Sequence, residues 1–124
     1  MYEISVKDHF SAAHSLKEIG GGCENIHGHN FKVEVYLKAE DLLPDGTVMD
    51  FRKLKSYLKD VLDIVDHTNL NEVPPFNEIN PSSENIAKFI CDKIREKLNE
   101  VSVSGGLRVD VWESDNSRAS YYEQ

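Results

Sequence analysis

Three of the five histidines fall where they can act together: His14, and His27 and His29 on either side of a single glycine. A buried neutral imidazole carries one donor and one acceptor that both need partners. Three such rings converging on one point resolve that demand by ligating a metal. Three nitrogen ligands suit Zn²⁺, and a fourth tetrahedral position left to water or substrate is the catalytic arrangement. Cys23 stands four residues before His27, within reach of the same ion. It admits three readings: the fourth ligand of a closed structural Cys–His₃ site, an inert buried thiol, or an activated thiolate acting as nucleophile or general base.

Two further groups carry chemistry. His67 follows Asp66 just past a predicted helix, where a carboxylate can orient an imidazole for proton transfer. A histidine at a helix C-terminus also complements the dipole without any catalytic role. Glu113 shares the parity of Leu107, Val109 and Val111, which sets a carboxylate at the end of an apolar strand face. Such a group needs partners, either a ligand offering adjacent N–H groups or a nearby arginine. Glu84, in a first helical turn, is ordinary helix chemistry, His9 has the parity of a solvated face, and Cys91 falls on an apolar helix face as core.

The elements that position these groups are written in the periodicity. Ile4, Val6, Phe10 and Ala12 alternate with polar residues, with Asp8 the one mismatch, and Phe31, Val33, Val35, Leu37 and Ala39 alternate more cleanly, predicting two strands. His14 keeps the even parity of the first strand's apolar residues, and His27 and His29 keep the odd parity of the second's. All three therefore point to the apolar side of a hairpin whose long connection contains Gly20, Gly21 and Gly22. From Asp50, a candidate N-cap, Phe51, Leu54, Leu58, Val61, Leu62 and Val65 recur at helical spacing. Ile86, Phe89, Ile90, Ile94 and Leu98 give a second helix begun near residues 80–83, after a proline-bearing loop. Alternation returns at Leu107, and residues 117–122 read as a last strand. The order ββααββ predicts an α+β domain, a four-stranded antiparallel sheet with two helices on one face. Its two edges predict pairing between subunits, the alternative being a monomer with charged edge strands.

The chain's 124 residues fit one domain over residues 1–124. With 40% apolar and 29% charged residues, 4 Pro and 7 Gly, it is neither collagen-like nor low-complexity. A formal charge of −8, from 14 Lys+Arg against 22 Asp+Glu, argues against nucleic acid or anionic membranes as partners. No apolar run approaches the roughly 18 residues that cross a bilayer, and charges at Glu3, Lys7 and Asp8 are unlike a signal peptide, which predicts a cytoplasmic protein.

Six segments in order, Phe10-Ser-Ala-Ala-His14, Cys23-Glu-Asn-Ile-His27-Gly-His29, Val48-Met-Asp-Phe51, Asp66-His67-Thr-Asn-Leu70-Asn71, Pro81-Ser-Ser-Glu84-Asn85 and Val111-Trp-Glu113, resemble the 6-pyruvoyl-tetrahydropterin synthase family. The three-residue gap between Cys23 and His27 resembles its bacterial 6-carboxytetrahydropterin synthase branch, which serves queuosine biosynthesis. The resemblance implies a tunnelling fold whose ββααββ subunits join sheets into a trimeric barrel, two trimers stacking as a homohexamer. It implies Zn²⁺ on His14, His27 and His29, and Cys23 as thiolate base. Asp66 and His67 would complete a relay from a neighbouring subunit. Glu113 would anchor the pterin, with Glu84 and Ser82 or Ser83 nearby. The substrate so implied is 7,8-dihydroneopterin triphosphate, and the products 6-carboxy-5,6,7,8-tetrahydropterin, acetaldehyde and triphosphate. Glu24, directly after Cys23, matches members that form 6-hydroxymethyl-7,8-dihydropterin for folate, so either product or both are implied. The non-enzymatic reading is a structural Cys–His₃ zinc module that stabilises an oligomer.

Overall fold

The computed structural model describes residues 1–17 and 25–123. Cys23 and Glu24, with the predicted Gly20–Gly22 connection, lie outside the described residues.

Strands β1 (Tyr2–His14) and β2 (His27–Ala39) pair antiparallel without a break from Tyr2↔Ala39 to His14↔His27. Helix α1 (Phe51–Val65) follows, capped by the Asp50 carboxylate, which accepts the Arg52 N–H at 2.8 Å. A two-residue strand β3 (Thr68–Asn69) and a single 3-10 turn (Leu70–Glu72) lead to α2 (Ser83–Glu100), then β4 (Leu107–Ser114) and β5 (Ser117–Tyr122). Sheet order is β3-β1-β2-β4-β5. The four expected antiparallel strands are therefore joined by a fifth, β3, which runs parallel to β1 at Ala12↔Thr68 and Ala13↔Asn69. Two residues are too few to show a period, which is why only four strands are legible in the sequence.

The apolar face of the sheet meets the helices. Phe10, Phe31, Val33, Val35, Leu37, Val109 and Val111 close over Leu54, Leu58, Val61, Ile86, Ile90 and Ile94, all essentially inaccessible. Phe51 departs from its predicted place in the helical stripe. As the first residue of α1 it lies 58% exposed, against Val6, Lys7 and Lys55 at the surface. Cys91 is core as expected, and burial pushes its thiol up to about 12, where it is inert. On the opposite face of the sheet Asp110 is fully buried yet satisfied, by two bonds from the Arg108 guanidinium and one from Ser120 Oγ. No described helix is long and apolar enough to cross a membrane. Among the described residues β1 has strand partners on its outer side only at Ala12 and Ala13, and β5 has none on its outer side.

The approach to β4 is held by Gly105, where a Cβ would stand 1.8 Å from the Lys38 carbonyl oxygen and 3.0 Å from its carbon. Both atoms are backbone, so the strand itself would have to shift. Gly105→Ala is expected to destabilise the protein by about 1–3 kcal/mol, the usual cost of overpacking. A urea midpoint that falls at constant m-value would show it, and an unchanged midpoint would contradict it.

Candidate metal centre

The register puts the three histidines on one face. His14 is directly opposite His27, and His29 opposite Ala12, at the end of the hairpin where Phe10 and Phe31 stack at 4.8 Å beneath them. The rings of His14 and His27 lie 4.6 Å apart, those of His27 and His29 4.7 Å, and those of His14 and His29 5.2 Å, all in edge contact. His14 is fully buried, whereas His29 keeps a quarter of its side chain accessible. The parity inference therefore holds across both strands.

Hydrogen bonds fix the tautomers. Nδ1 of His14 lies 2.8 Å from the Pro81 carbonyl, and Nδ1 of His27 lies 2.7 Å from the Asn25 carbonyl. A carbonyl only accepts, so each Nδ1 carries the proton and each neutral ring presents a bare Nε2 lone pair. Among the described residues, Nε2 of His14 and Nε2 of His29 are the buried side-chain atoms without a hydrogen-bond partner. Glu113 Oε1 is 3.0 Å from His29 Nε2 but poorly aligned for a hydrogen bond, and Oε2 is 4.0 Å from His14 Nε2. Single donor atoms from His14, His27, His29 and Glu113 all lie within 4.8 Å of one another. Nitrogen and carboxylate donors with unpaired lone pairs, in a pocket floored by aromatic rings, are the donor set of a divalent transition metal, and Zn²⁺ fits it.

Burial holds His14 below its ordinary value of 6.5, outweighing the Pro81 hydrogen bond and the Glu113 charge, which act upward. The metal-free folded protein thus binds this proton less readily than the unfolded chain. Stability is full above pH 6.5 and is lost as pH falls through the folded value, with a slope of at most about 1.4 kcal/mol per pH unit from this one group. Urea unfolding of chelator-treated protein between pH 7.5 and 5.5 should show a steeper loss for the parent than for His14→Gln, and equal slopes would refute the assignment.

Glu113 owes its position to a bulge. Between Trp112↔Arg118 and Ser114↔Ser117 β4 spends two steps against one on β5, and Glu113 is the extra residue. The sequence reading made it a pterin anchor, and the structure places it among the imidazoles, with Ser83 Oγ 3.4 Å from its Oε2. Ser82 has its hydroxyl committed as N-cap of α2, accepting the Asn85 N–H at 3.1 Å. Glu84 is exposed on the first turn of α2 and is not among the four converging side chains.

Asp66 and His67 lie at the other border of β1. The Asp66 carboxylate accepts the Ser11 N–H at 2.9 Å and stands 3.0 Å from His67 Nδ1. The Ser11 bond, ahead of His67, holds Asp66 below the usual carboxylate range. His67 takes a left-handed φ of 57°, donates its N–H to the Ser11 carbonyl, and projects an imidazole that is 82% exposed. Its surface cavity of about 350 Å³ is shared with residues 11–13, with Gly28, His29 and Asn30, and with Thr68. His67 is not among the four side chains that converge. The Pro81 and Asn25 carbonyls escaped the sequence reading because backbone acceptors leave no residue-type signal.

Residues 3–124 match the family described as 6-pyruvoyl tetrahydropterin synthase. The chain is 38% identical over 107 residues to the dihydroneopterin monophosphate aldolase of Pyrococcus furiosus, spanning 86% of this chain and 84% of that protein. It is 35% identical over 127 residues to the 6-carboxy-5,6,7,8-tetrahydropterin synthase of Synechocystis, spanning 98% and 94%. The solved 6-pyruvoyl tetrahydropterin synthase of Caenorhabditis elegans superposes with a TM-score of 0.84 at 31% identity, over 99% of this chain and 96% of that one.

Proposed function

Since the chain belongs to the 6-pyruvoyl tetrahydropterin synthase family, we propose that it is a zinc-dependent 6-carboxy-5,6,7,8-tetrahydropterin synthase of queuosine biosynthesis, acting in the cytoplasm. Its substrate is 7,8-dihydroneopterin triphosphate, and its products are 6-carboxy-5,6,7,8-tetrahydropterin, acetaldehyde and triphosphate. The observation that carries this reading is the convergence of three imidazoles, two of them, His14 and His27, fixed as Nδ1–H tautomers, and two, His14 and His29, with buried Nε2 atoms that lack a partner. A closed structural site would need Cys23 as fourth ligand, whereas Glu113 already stands beside the rings.

His14, His27 and His29 would hold Zn²⁺, which supplies Lewis acidity to the substrate's side-chain oxygens and acidifies the adjoining carbons. Everything else falls to the chain's own residues. Cys23 takes and returns the proton as thiolate base. The Asp66 carboxylate orients His67 as its relay partner, and the pair is delivered by a neighbouring subunit, for which the exposed His67 ring is available. Glu113 receives the pterin's amino and ring N–H groups by turning away from His29, steered by the Ser83 hydroxyl. Glu84, exposed on the first turn of α2, and Ser82, the N-cap of that helix, would contact the pterin beside Glu113. Among the described residues the outer side of β1 is paired only at Ala12 and Ala13 and that of β5 not at all, which supports assembly into a trimeric barrel and a homohexamer.

Incubating the zinc-loaded protein with 7,8-dihydroneopterin triphosphate and separating the products by chromatography tests the reading. Carboxytetrahydropterin, acetaldehyde and triphosphate are expected. A second reading is favoured by the likeness to a named aldolase: release of 6-hydroxymethyl-7,8-dihydropterin through Glu24. Cys23→Ala should lose the first product and Glu24→Ala the second. Formation of neither pterin by the parent protein removes both readings.

A further inference from the structure

We propose that Asn71 and Asn80 are positioning residues of the metal centre, their side-chain amides serving in place of a strand partner, none of which is found among the described residues where the chain leaves His14. The inference rests on the reading of the three histidines as metal ligands. The β1–β2 ladder ends at His14↔His27, and β3 supports β1 only at Ala12 and Ala13. Beyond that point the two asparagines take over. The Ser15 N–H donates to Asn71 Oδ1 at 2.8 Å, and Asn71 Nδ2 donates back to the Ser15 carbonyl at 3.0 Å. Two residues on, the Lys17 N–H donates to Asn80 Oδ1 at 2.9 Å, and Asn80 Nδ2 donates to the Lys17 carbonyl at 3.0 Å.

A carboxamide offers a donor and an acceptor side by side, as a peptide group does. Spacing the two amides at residues 15 and 17 reproduces the period of a strand and keeps the chain extended past the ligand. Asn80 is also linked to the ring of His14 through the next residue, Pro81. Its own carbonyl accepts Asn85 Nδ2 at 2.8 Å, and the next carbonyl along, that of Pro81, accepts the His14 Nδ1–H at 2.8 Å. With φ of Pro81 fixed by its ring, the group that sets the His14 tautomer and the group that grips Lys17 move as one piece. Asn71 is held in turn by donating its N–H to Asn69 Oδ1 at 3.2 Å. The motif Asp66-His67-Thr-Asn-Leu70-Asn71 therefore has a use for its last residue that its first two do not explain.

The test compares Asn71→Ala, Asn80→Ala and the double variant with a control, Ile94→Val, a core change in α2 that lowers Tm without touching the clamp. Zinc affinity is read by competition with a chromophoric chelator, and site geometry by the visible absorption of the cobalt-loaded protein. Asn80→Ala is expected to weaken zinc binding about 10–100-fold, the usual effect of removing an outer-shell partner of a metal ligand, and to move the cobalt bands. Asn71→Ala, linked to His14 only through Ser15, should show a smaller loss, and Ile94→Val none. If Asn80→Ala does not fold, Asn80→Asp, which keeps the acceptor and loses the donor, takes its place with the same expectation. Parent-like zinc affinity and cobalt bands in the asparagine variants, or an equal loss in Ile94→Val, would overturn the inference alone. Parent protein that binds neither zinc nor cobalt would instead overturn the reading beneath it.

Discussion

Alanine at His14, His27 or His29 is expected to strip zinc from the protein and cut turnover by roughly a thousandfold, since Lewis-acid stabilisation is worth several kcal/mol and each 1.36 kcal/mol is tenfold. The three variants should differ in stability even where they agree in activity. His14 is fully buried and its Nδ1–H satisfies the Pro81 carbonyl, so His14→Ala leaves a cavity and an unpaired acceptor. His29 is a quarter accessible, and its orphaned Nε2 costs the zinc-free protein something that alanine relieves. We therefore expect the zinc-free His29→Ala protein to unfold at or above the parent's urea midpoint, and the zinc-free His14→Ala protein well below it. Metal analysis after exchange into chelator-free buffer, with product assay on the same samples, checks the first claim. Turnover that survives exhaustive chelation of the parent would sink it.

The histidine cluster was legible because strand geometry has a period of two and the β1–β2 ladder runs unbroken through it. Parity counted from Phe10 and from Phe31 reaches His14, His27 and His29 without an intervening bulge, so residue number alone placed three rings on one face. The same device placed Glu113 on the apolar side of β4, but not beside the imidazoles. That depended on how far β4 extends toward them and on the bulge at its end, neither of which shows in a single strand's pattern. The helical stripes were read correctly for Leu54 to Val65 and for Ile86 to Leu98, and misread at Phe51, where a helix begins before the core does. Strand β3 and the asparagine clamps were illegible for one reason. Each is made of single contacts between distant segments, and periodicity reports only repeated ones.

Mixing Cys23→Ala subunits with His67→Ala subunits is expected to recover activity that neither variant has alone. His67, whose left-handed backbone and bond to the Ser11 carbonyl fix its place on the border of β1, is 82% exposed and is not among the four converging side chains of its own chain. A group so placed, and oriented by Asp66, is presented to the site of another subunit. The borders of β1 and β5 are different surfaces, so contact between them would be head-to-tail, and in the proposed barrel it closes into a ring. In such a ring each site takes its thiol from one chain and its imidazole from the next. Random assembly from equal parts of the two variants then leaves about a quarter of the sites with both groups intact, and activity should return to about that fraction of the parent's. Native mass spectrometry establishes that the oligomers are mixed. No recovery in verified mixtures would put both residues to work within one chain, and the outward turn of His67 would then be a helix terminus and nothing more.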